Sequence, residues 1–381
     1  MDIENLIAQL SSDEDRYRPL TEDKNHNGNL AEDLAALKLP KIRVLGVGGA
    51  GNNFVTALFN GIHSSRIVEI IAMNTDASQL AISKSHRRIL IGKTVTRGYG
   101  AGNDPILGRK AFEESKDKIE ELISDSDLLI IVAGLGGGTG SGVAPALVEL
   151  AHDLGLLTMT FVTMPFKCEG RIRIRNALRA LSEILQVPTV TVVIPNERLI
   201  RVAPRQTIHG AFSLANNLLV QLVQSLSDLI EKAGLINVDF ADVRKVLSYK
   251  GLAIPGVATS NDTNEKRAVE VAEKILNNPI LEVNPALGKA ALIEIVAGDD
   301  LTLSEAYDVV NKFTMTMGED KEIIFGLRIE PEYKSRIRVV SLITGIDIPD
   351  SNYDSIENFL TDNLITETAP LTDATEVNSS V

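Results

Sequence analysis

A single cysteine, Cys168, stands in this 381-residue sequence, so no disulfide framework can hold the fold, and a reducing, cytoplasmic setting is expected. Tryptophan is absent and aromatic residues make up only 4% of the chain, against 44% hydrophobic residues overall. That balance points to an aliphatic core of the α/β kind. No apolar run reaches the ~18 residues a membrane span needs, and Met1-Asp2-Ile3-Glu4 lacks the positive start of an export signal. Direct membrane insertion is therefore not expected. His26, His63, His86, His152 and His209 are scattered without metal-ligand spacing, so no protein-held metal is expected. No basic face is present, which removes nucleic acid as an expected partner.

What charge there is sits at the ends. The chain carries a formal net charge of −13, with −5 on residues 1–40 and −8 on residues 346–381, where eight acidic side chains stand without one basic residue. The stretch between them is neutral. A neutral body between acidic ends can self-associate without strong repulsion while the ends keep it soluble. Acidic termini also occur with no such role, and both readings stand.

From Lys41 a β/α rhythm begins. Ile42–Val47, Val68–Met73, Asp127–Ala133, Thr158–Thr163 and Thr189–Ile194 are short runs rich in Val, Ile, Leu and Thr, separated by helical stretches, the pattern of a parallel sheet covered on both faces. A long helix is predicted from Thr207 to Lys232, with Phe212, Leu219, Leu222, Val223, Leu226, Leu229 and Ile230 on its apolar face and Gly234 ending it. A smaller α+β unit follows, with a helix near Glu265–Leu276 and strands near Ala291–Val296, Glu322–Leu327 and Ile337–Ile343. The expected division is an acidic flexible extension (1–40), a sheet domain (41–206), the long helix (207–233), a C-terminal domain (234–345) and an acidic disordered tail (346–381). Within the tail, Ile356-Glu357-Asn358-Phe359-Leu360 is a short amphipathic patch. It suits helix-in-groove docking on an adaptor, or is plain tail.

Two glycine-rich loops carry the chemistry. Gly46-Val47-Gly48-Gly49-Ala50-Gly51-Asn52-Asn53 matches G-x-G-x-x-G between a strand and a helix, which alone suggests a Rossmann site and a nicotinamide-dependent oxidoreductase. Such a site wants an acidic residue about twenty positions on, and Asn74-Thr75-Asp76 comes somewhat late. It also has no use for the second loop, Gly134-Leu135-Gly136-Gly137-Gly138-Thr139-Gly140-Ser141-Gly142. No G-x-x-x-x-G-K-[ST] is present, so no lysine reaches a phosphate. Backbone N–H groups, the Thr139 hydroxyl, helix dipoles and a magnesium ion would have to meet the charge. Pro145 suits an early position of the helix that follows. The alternative for so much glycine is a tight turn with close backbone packing, though glycine is costly in chain entropy.

Gly136–Gly142 resembles the signature loop of the tubulin/FtsZ family of GTPases. Several segments resemble the FtsZ branch in the order that family requires: Gly48–Asn53, Asn74–Asp76, Thr96–Gly102, Pro165–Gly170, Ile194–Asn196 and Asn237–Arg244. The Gly-Gly-Ala-Gly-Asn-Asn form of the first loop is more like archaeal members. The resemblance runs from about Lys41 to Gly345. It implies a GTP-binding domain, a central helix and a polymerisation domain, with GTP or GDP as ligand and magnesium held mainly through phosphates and water. It implies nucleotide contacts at Gly48, Gly49, Ala50, Gly51, Asn52, Asn53, Asn74, Ala101, Gly102, Gly136, Gly137, Gly138, Thr139, Gly140, Glu169, Arg173, Asn196, Asn216 and Asn217. Guanine-contacting positions in the family usually read Asn then Asp; here Asn217 replaces the carboxylate. Glu169 and Arg173 are also spaced for an ordinary i, i+4 ion pair. Asp239 could simply cap a helix, with Asp242 as its capping-box partner. In the family this loop enters the neighbour's nucleotide site, which implies a catalytic role for Asn237, Asp239 and Asp242, completed between subunits. The resemblance thus implies a polymerisation-dependent GTPase that assembles head to tail with itself at a mid-cell division ring. An adaptor at the tail and a paralogue are further partners it allows. A tubulin-family filament for cell shape or plasmid positioning shares the same core.

Overall fold

The computed structural model describes residues 39–62, 65–202, 205–260, 266–277 and 283–347. Residues 1–38, the tail from residue 348 with its 356–360 patch, and the expected helix start at Glu265 lie outside the described residues. The first half alternates strands and helices: β1 (Ile42–Val47), α1 (Gly48–Gly61), β2 (Val68–Asn74), α2 (Ala77–Ile82), β3 (Arg87–Leu90), α3 (Pro105–Glu114), α4 (Lys116–Ile123), β4 (Leu128–Gly134), α5 (Gly138–Asp153), β5 (Thr158–Met164), α6 (Arg171–Gln186), β6 (Val190–Pro195) and α7 (Asn196–Val202). The long helix α8 (Ile208–Glu231) follows, then α9 (Phe240–Ser248), β7 (Gly251–Ser260), α10 (Arg267–Leu276), β8 (Ala290–Ala297), α11 (Leu303–Met317), β9 (Glu322–Ile329) and β10 (Ile337–Ile346).

The strands form one ten-stranded sheet in the order β3-β2-β1-β4-β5-β6-β7-β10-β8-β9. From β3 to β6 every pairing is parallel. All residues of β1, β5 and β6 are buried, so the alternation of a half-exposed strand is lost, as expected where helices cover both faces. The join to the second half is narrow. β6 meets β7 through two residue pairs, Val190↔Gly251 and Thr191↔Leu252. Beyond it β7–β10 and β10–β8 run antiparallel and β8–β9 parallel.

Two strands escape the sequence reading. β3 begins with the exposed pair Arg87-Arg88 and lies at the sheet edge. β7 is broken in sequence by Pro255 and Gly256, yet it links the two halves. Helix α8 runs 24 residues, about 36 Å at 1.5 Å per residue. Thr207 caps it by accepting from the Gly210 N–H at 3.0 Å. Leu219, Leu222, Val223, Leu226 and Leu229 enter the core, but Phe212 does not: it is 38% exposed. Among the described residues, no helix is long and apolar enough to cross a membrane.

Candidate functional site: a cleft at two open helix ends

Parallel strands deliver their loops to one edge, where a cleft of about 900 Å³ opens. The ends of β1, β2 and β4 supply its floor. Gly48, at φ +70°, turns the chain from β1 directly into α1. A side chain there would be strained, because this φ lies in the left-handed region. Gly136, at φ +105°, makes the matching turn after β4, and its N–H donates to Ser141 Oγ at 2.7 Å. The second loop is thus already the first turn of α5, which begins at Gly138. Pro145 accordingly lies inside that helix, not at its start.

Neither α1 nor α5 has a side-chain cap, and neither has an acidic residue in its first turn. Their N-terminal N–H groups and positive dipole ends remain free for an anion. Close packing explains more of the glycine than expected. A Cβ on Gly140 would sit 2.1 Å from Gly134 O, and one on Gly51 2.4 Å from Val132 O. Gly137 and Gly49 differ. A Cβ would come no nearer than 3.9 Å to any atom at Gly137 and 3.6 Å at Gly49, and both residues line the cleft. Protein packing does not demand glycine at those two positions, and a Cβ at either would project into space at the cleft.

The predicted residues that line the cleft are Gly49, Ala50, Asn53, Asn74, Ala101, Gly102, Gly137, Gly138, Thr139, Gly140, Glu169, Arg173, Asn196, Asn216 and Asn217. Gly48, Gly51, Asn52 and Gly136 stand behind them as scaffold. Asn52 is buried, and with its amide oriented to satisfy its neighbours it donates to Gly46 O at 2.9 Å and accepts from Asn74 Nδ2 at 3.0 Å. Asn74 Oδ1 in turn accepts from the Thr75 N–H at 2.9 Å, and the Thr75 and Thr139 hydroxyls share a 2.7 Å hydrogen bond. This chain of contacts fixes the second loop against the first.

At the other side, Glu169 makes the i, i+4 ion pair with Arg173 at 2.8 Å, accepts from the Phe166 N–H at 2.8 Å, and also borders the cleft. Asn196 is 7% exposed, and its Oδ1 has no hydrogen-bond partner. Leaving such a group unpaired costs about 1–3 kcal/mol, so this oxygen is a ready acceptor for a donor on the ligand. Phe212, misassigned to the core face, lines the cleft and stands edge-on to Phe166 at 5.8 Å. Asp76, Gln79, Tyr99, Asn103 and Thr163 also line it, although none was among the expected contacts. Asp76 lies two positions after Asn74, and it and Tyr99 belong to segments that carry the resemblance; Asn103, at φ +65°, carries no signal in its sequence context.

Asn237, Asp239 and Asp242 are placed elsewhere. None lines the cleft of its own chain. Asp239 caps α9 in full: its Oδ1 accepts from the Asp242 N–H at 2.9 Å, and Asp242 Oδ2 accepts from the Asp239 N–H at 3.1 Å. Asn237 Oδ1 accepts from the Gly234 N–H at 2.7 Å. Capping is therefore real, and it leaves Asp239 exposed and Asp242 partly exposed.

The charged side chains lining the cleft are Asp76, Glu169 and Arg173, two carboxylates and one guanidinium. A polyphosphate entering there meets no lysine, and its charge needs a cation in addition to the N–H groups. Among the described residues, no group of three or more His, Cys, Asp or Glu could hold a metal. The donor set therefore fits a magnesium ion bound chiefly through phosphate oxygens and water, with hydroxyl and carboxylate groups such as Thr139 and Asp76 beside it.

Fold and cleft together define a phosphate-binding α/β protein that uses two open helix ends in place of a lysine-bearing loop. Residues 41–204 match the Tubulin/FtsZ family, GTPase domain, and residues 251–347 match the FtsZ family, C-terminal domain. The chain is 40% identical over 345 residues to cell division protein FtsZ 1 of Pyrococcus horikoshii, covering 90% of this chain and 91% of that protein. It is 42% identical over 348 residues to the protein of that name from Thermococcus kodakarensis, with 91% and 92% covered. Among solved structures, the empty FtsZ dimer of Methanocaldococcus jannaschii superposes with a TM-score of 0.77 at 41% identity, covering 86% of this chain and 95% of that one. CetZ1 from Haloferax volcanii, at 22% identity and a TM-score of 0.70, shares the fold. The chain belongs to the tubulin/FtsZ family, in its FtsZ branch. It is a GTPase of the cell-division filament class, and the oxidoreductase reading of the first loop is set aside.

Proposed function

We propose that this GTPase assembles head to tail and that each active site is completed by the next subunit. One observation carries the reading: the cleft is lined by fifteen of the nineteen predicted nucleotide contacts, with Gly48, Gly51, Asn52 and Gly136 behind them, whereas the acidic trio stands outside it around the α9 cap. Residues 41–206 bind the nucleotide, α8 connects, and residues 234–345 present Asn237, Asp239 and Asp242 to the neighbour. The N–H groups of α1 and α5, with Thr139, hold the phosphates; Asn196, Asn216 and Asn217 face the base and sugar, with Glu169 and Arg173 beside them. The carboxylates of Asp239 and Asp242 orient a water for in-line attack on the γ-phosphate, the positioning on which phosphoryl transfer depends. Magnesium bound to the phosphates would neutralise developing charge.

A head-to-tail contact is heterologous and gives an open filament when its rotation does not close. Filaments of this kind would gather in the cytoplasm at the mid-cell division ring, tethered by an adaptor at the acidic tail and shared with a paralogue where one exists. The rate of GTP hydrolysis per subunit, measured against protein concentration, tests the reading. It should fall steeply below an assembly threshold. A rate that stays flat as the protein is diluted to nanomolar levels overturns subunit-shared catalysis.

A further inference from the structure

Arg171, Arg175 and Arg179 follow one another at four-residue steps along α6, which stacks them on one side of the helix. All three are exposed, and none has a hydrogen-bond or ion-pair partner among the described residues. Arg173 is different, since it pairs with Glu169 and lines the nucleotide cleft. Arg175 and Arg179 instead border a separate groove of about 480 Å³ with Ser182 and Glu183. Like charges at this spacing repel. The helix also has no acidic residue in its first turn and no basic residue in its last, so its charges run against its dipole. The carboxylate in the groove, Glu183, is paired with Arg109 at 3.8 Å and not with the ladder.

The chain carries a complement of its own. Residues 346–381 hold eight acidic side chains and no basic one. The sheet register fixes where this segment departs. Ile346 of β10 pairs with Leu252 of β7, and Leu252 pairs with Thr191 of β6. The chain thus leaves the sheet about 10 Å, two strand spacings, from Thr191. Thr191 lies five positions after Gln186, where α6 ends, and Arg179 lies seven positions before Gln186, about 10 Å of helix. Residues 347–360, if extended at about 3.3 Å each, span about 45 Å. The reach is ample, and the acidic segment meets the Arg179 end of the ladder first.

We propose that the acidic segment 350–360 docks in cis on this ladder, its carboxylates against the guanidinium groups of Arg179, Arg175 and Arg171. Phe359 and Leu360 then arrive beside Ile172, an apolar side chain that is 62% exposed on the same helix. Docking shields the 356–360 patch, so any partner that takes this patch must first displace it from α6. The proposal is independent of where GTP hydrolysis is completed.

Cys168 makes the test direct. It is the only cysteine of the chain, is exposed, and precedes Arg171 by three residues. A nitroxide on Cys168 of the full, isotope-labelled chain should broaden the amide NMR signals of residues 350–360 and weaken them several-fold. High salt should restore them, since exposed ion pairs are screened, and so should the double variant R175E/R179E once its GTP binding matches the native protein. K116E/K118E, an equal charge change on exposed lysines of α4, should leave the broadening in place. Signals of residues 350–360 untouched by the nitroxide in the native chain, or broadening that survives high salt, overturn the proposal. Mixing nitroxide-bearing copies with isotope-labelled copies should give no broadening; broadening there as strong as within one chain overturns docking in cis.

Discussion

Helices α1, α5 and α6, which open around the cleft, begin with neither a side-chain cap nor an acidic residue in the first turn. Helices α9 and α11 of the C-terminal half begin with complete capping boxes, Asp239 with Asp242 and Thr302 with Glu305. The first group leaves N–H donors and dipole unsatisfied and open to an anion; the second satisfies them internally. The same element end is thus used in two ways. At α1, α5 and α6 it is left open beside the cleft, although α2 and α3 of the same half are capped by Asp76 and Asp104. At α9 and α11 it is a rigid mount, and in α9 the mount is made from the carboxylates assigned to catalysis. Capping and catalysis do not compete there, because a carboxylate has lone pairs beyond the one its cap uses.

The largest effect expected from breaking this comparison is at Asp242. Asp242→Asn retains a side-chain oxygen for the cap but removes the charge. GTP binding and thermal stability should be close to native, while hydrolysis drops by about 100-fold or more; steady-state kinetics beside a nucleotide-binding titration will show it. Equal losses of binding and hydrolysis would refute the role given to this residue. Next comes Gly137→Asp, which supplies α5 with the cap and the negative charge it lacks. Nucleotide affinity should fall by about 100-fold, the ~3 kcal/mol of charge-assisted bonds removed, while the melting temperature holds or rises slightly. Gly140→Ala is the contrast, since its Cβ meets backbone at 2.1 Å. It should destabilise the fold itself by about 1–3 kcal/mol in a denaturation titration. Removing a cap from the rigid half, Thr302→Ala, should cost about 1 kcal/mol and leave nucleotide binding untouched.

The smallest effect concerns a buried charge cluster between α8 and the second half of the sheet. Glu294 on β8 is 1% exposed, with Arg328, Arg338 and Asp228 around it. Burial pushes its carboxyl above the usual range, and this outweighs the opposing pull of Arg328. A raised folded-state pKa means that the stability tied to the protonated form is complete below the unfolded pKa and is lost as pH rises through the folded one. Glu294→Gln does not titrate, so its melting temperature relative to the native protein should rise as the pH climbs above the ordinary carboxylate range. A difference that shrinks instead would contradict the assignment.

Much of the first half is legible in sequence because buried parallel strands read as unbroken apolar runs and the turns after them demand glycine. The second half is less so. β7 hides behind Pro255 and Gly256, and β3 behind its two exposed arginines, since each is held by neighbours rather than by its own pattern. Periodicity put Phe212 on the core face of α8, but the helix extends past the core there and turns that ring to the cleft. The glycine loops divide in a way their sequence does not show: Gly51 and Gly140 answer to packing, whereas Gly49 and Gly137 have room for a Cβ at the cleft, a division visible only once neighbouring backbones are in place. Asn103 reaches the cleft through loop geometry that no spacing encodes, and Gln79 reaches it from the short helix α2.

Mixing two crippled proteins tests the central claim most directly. Gly137→Asp retains the acidic loop but loses the nucleotide, and Asp242→Asn binds GTP but lacks the full acidic loop. If one subunit binds GTP and the next completes the site, each protein alone is nearly inactive and the mixture regains hydrolysis, with a maximum near equal proportions. A mixture no more active than the sum of its parts would contradict catalysis shared between subunits.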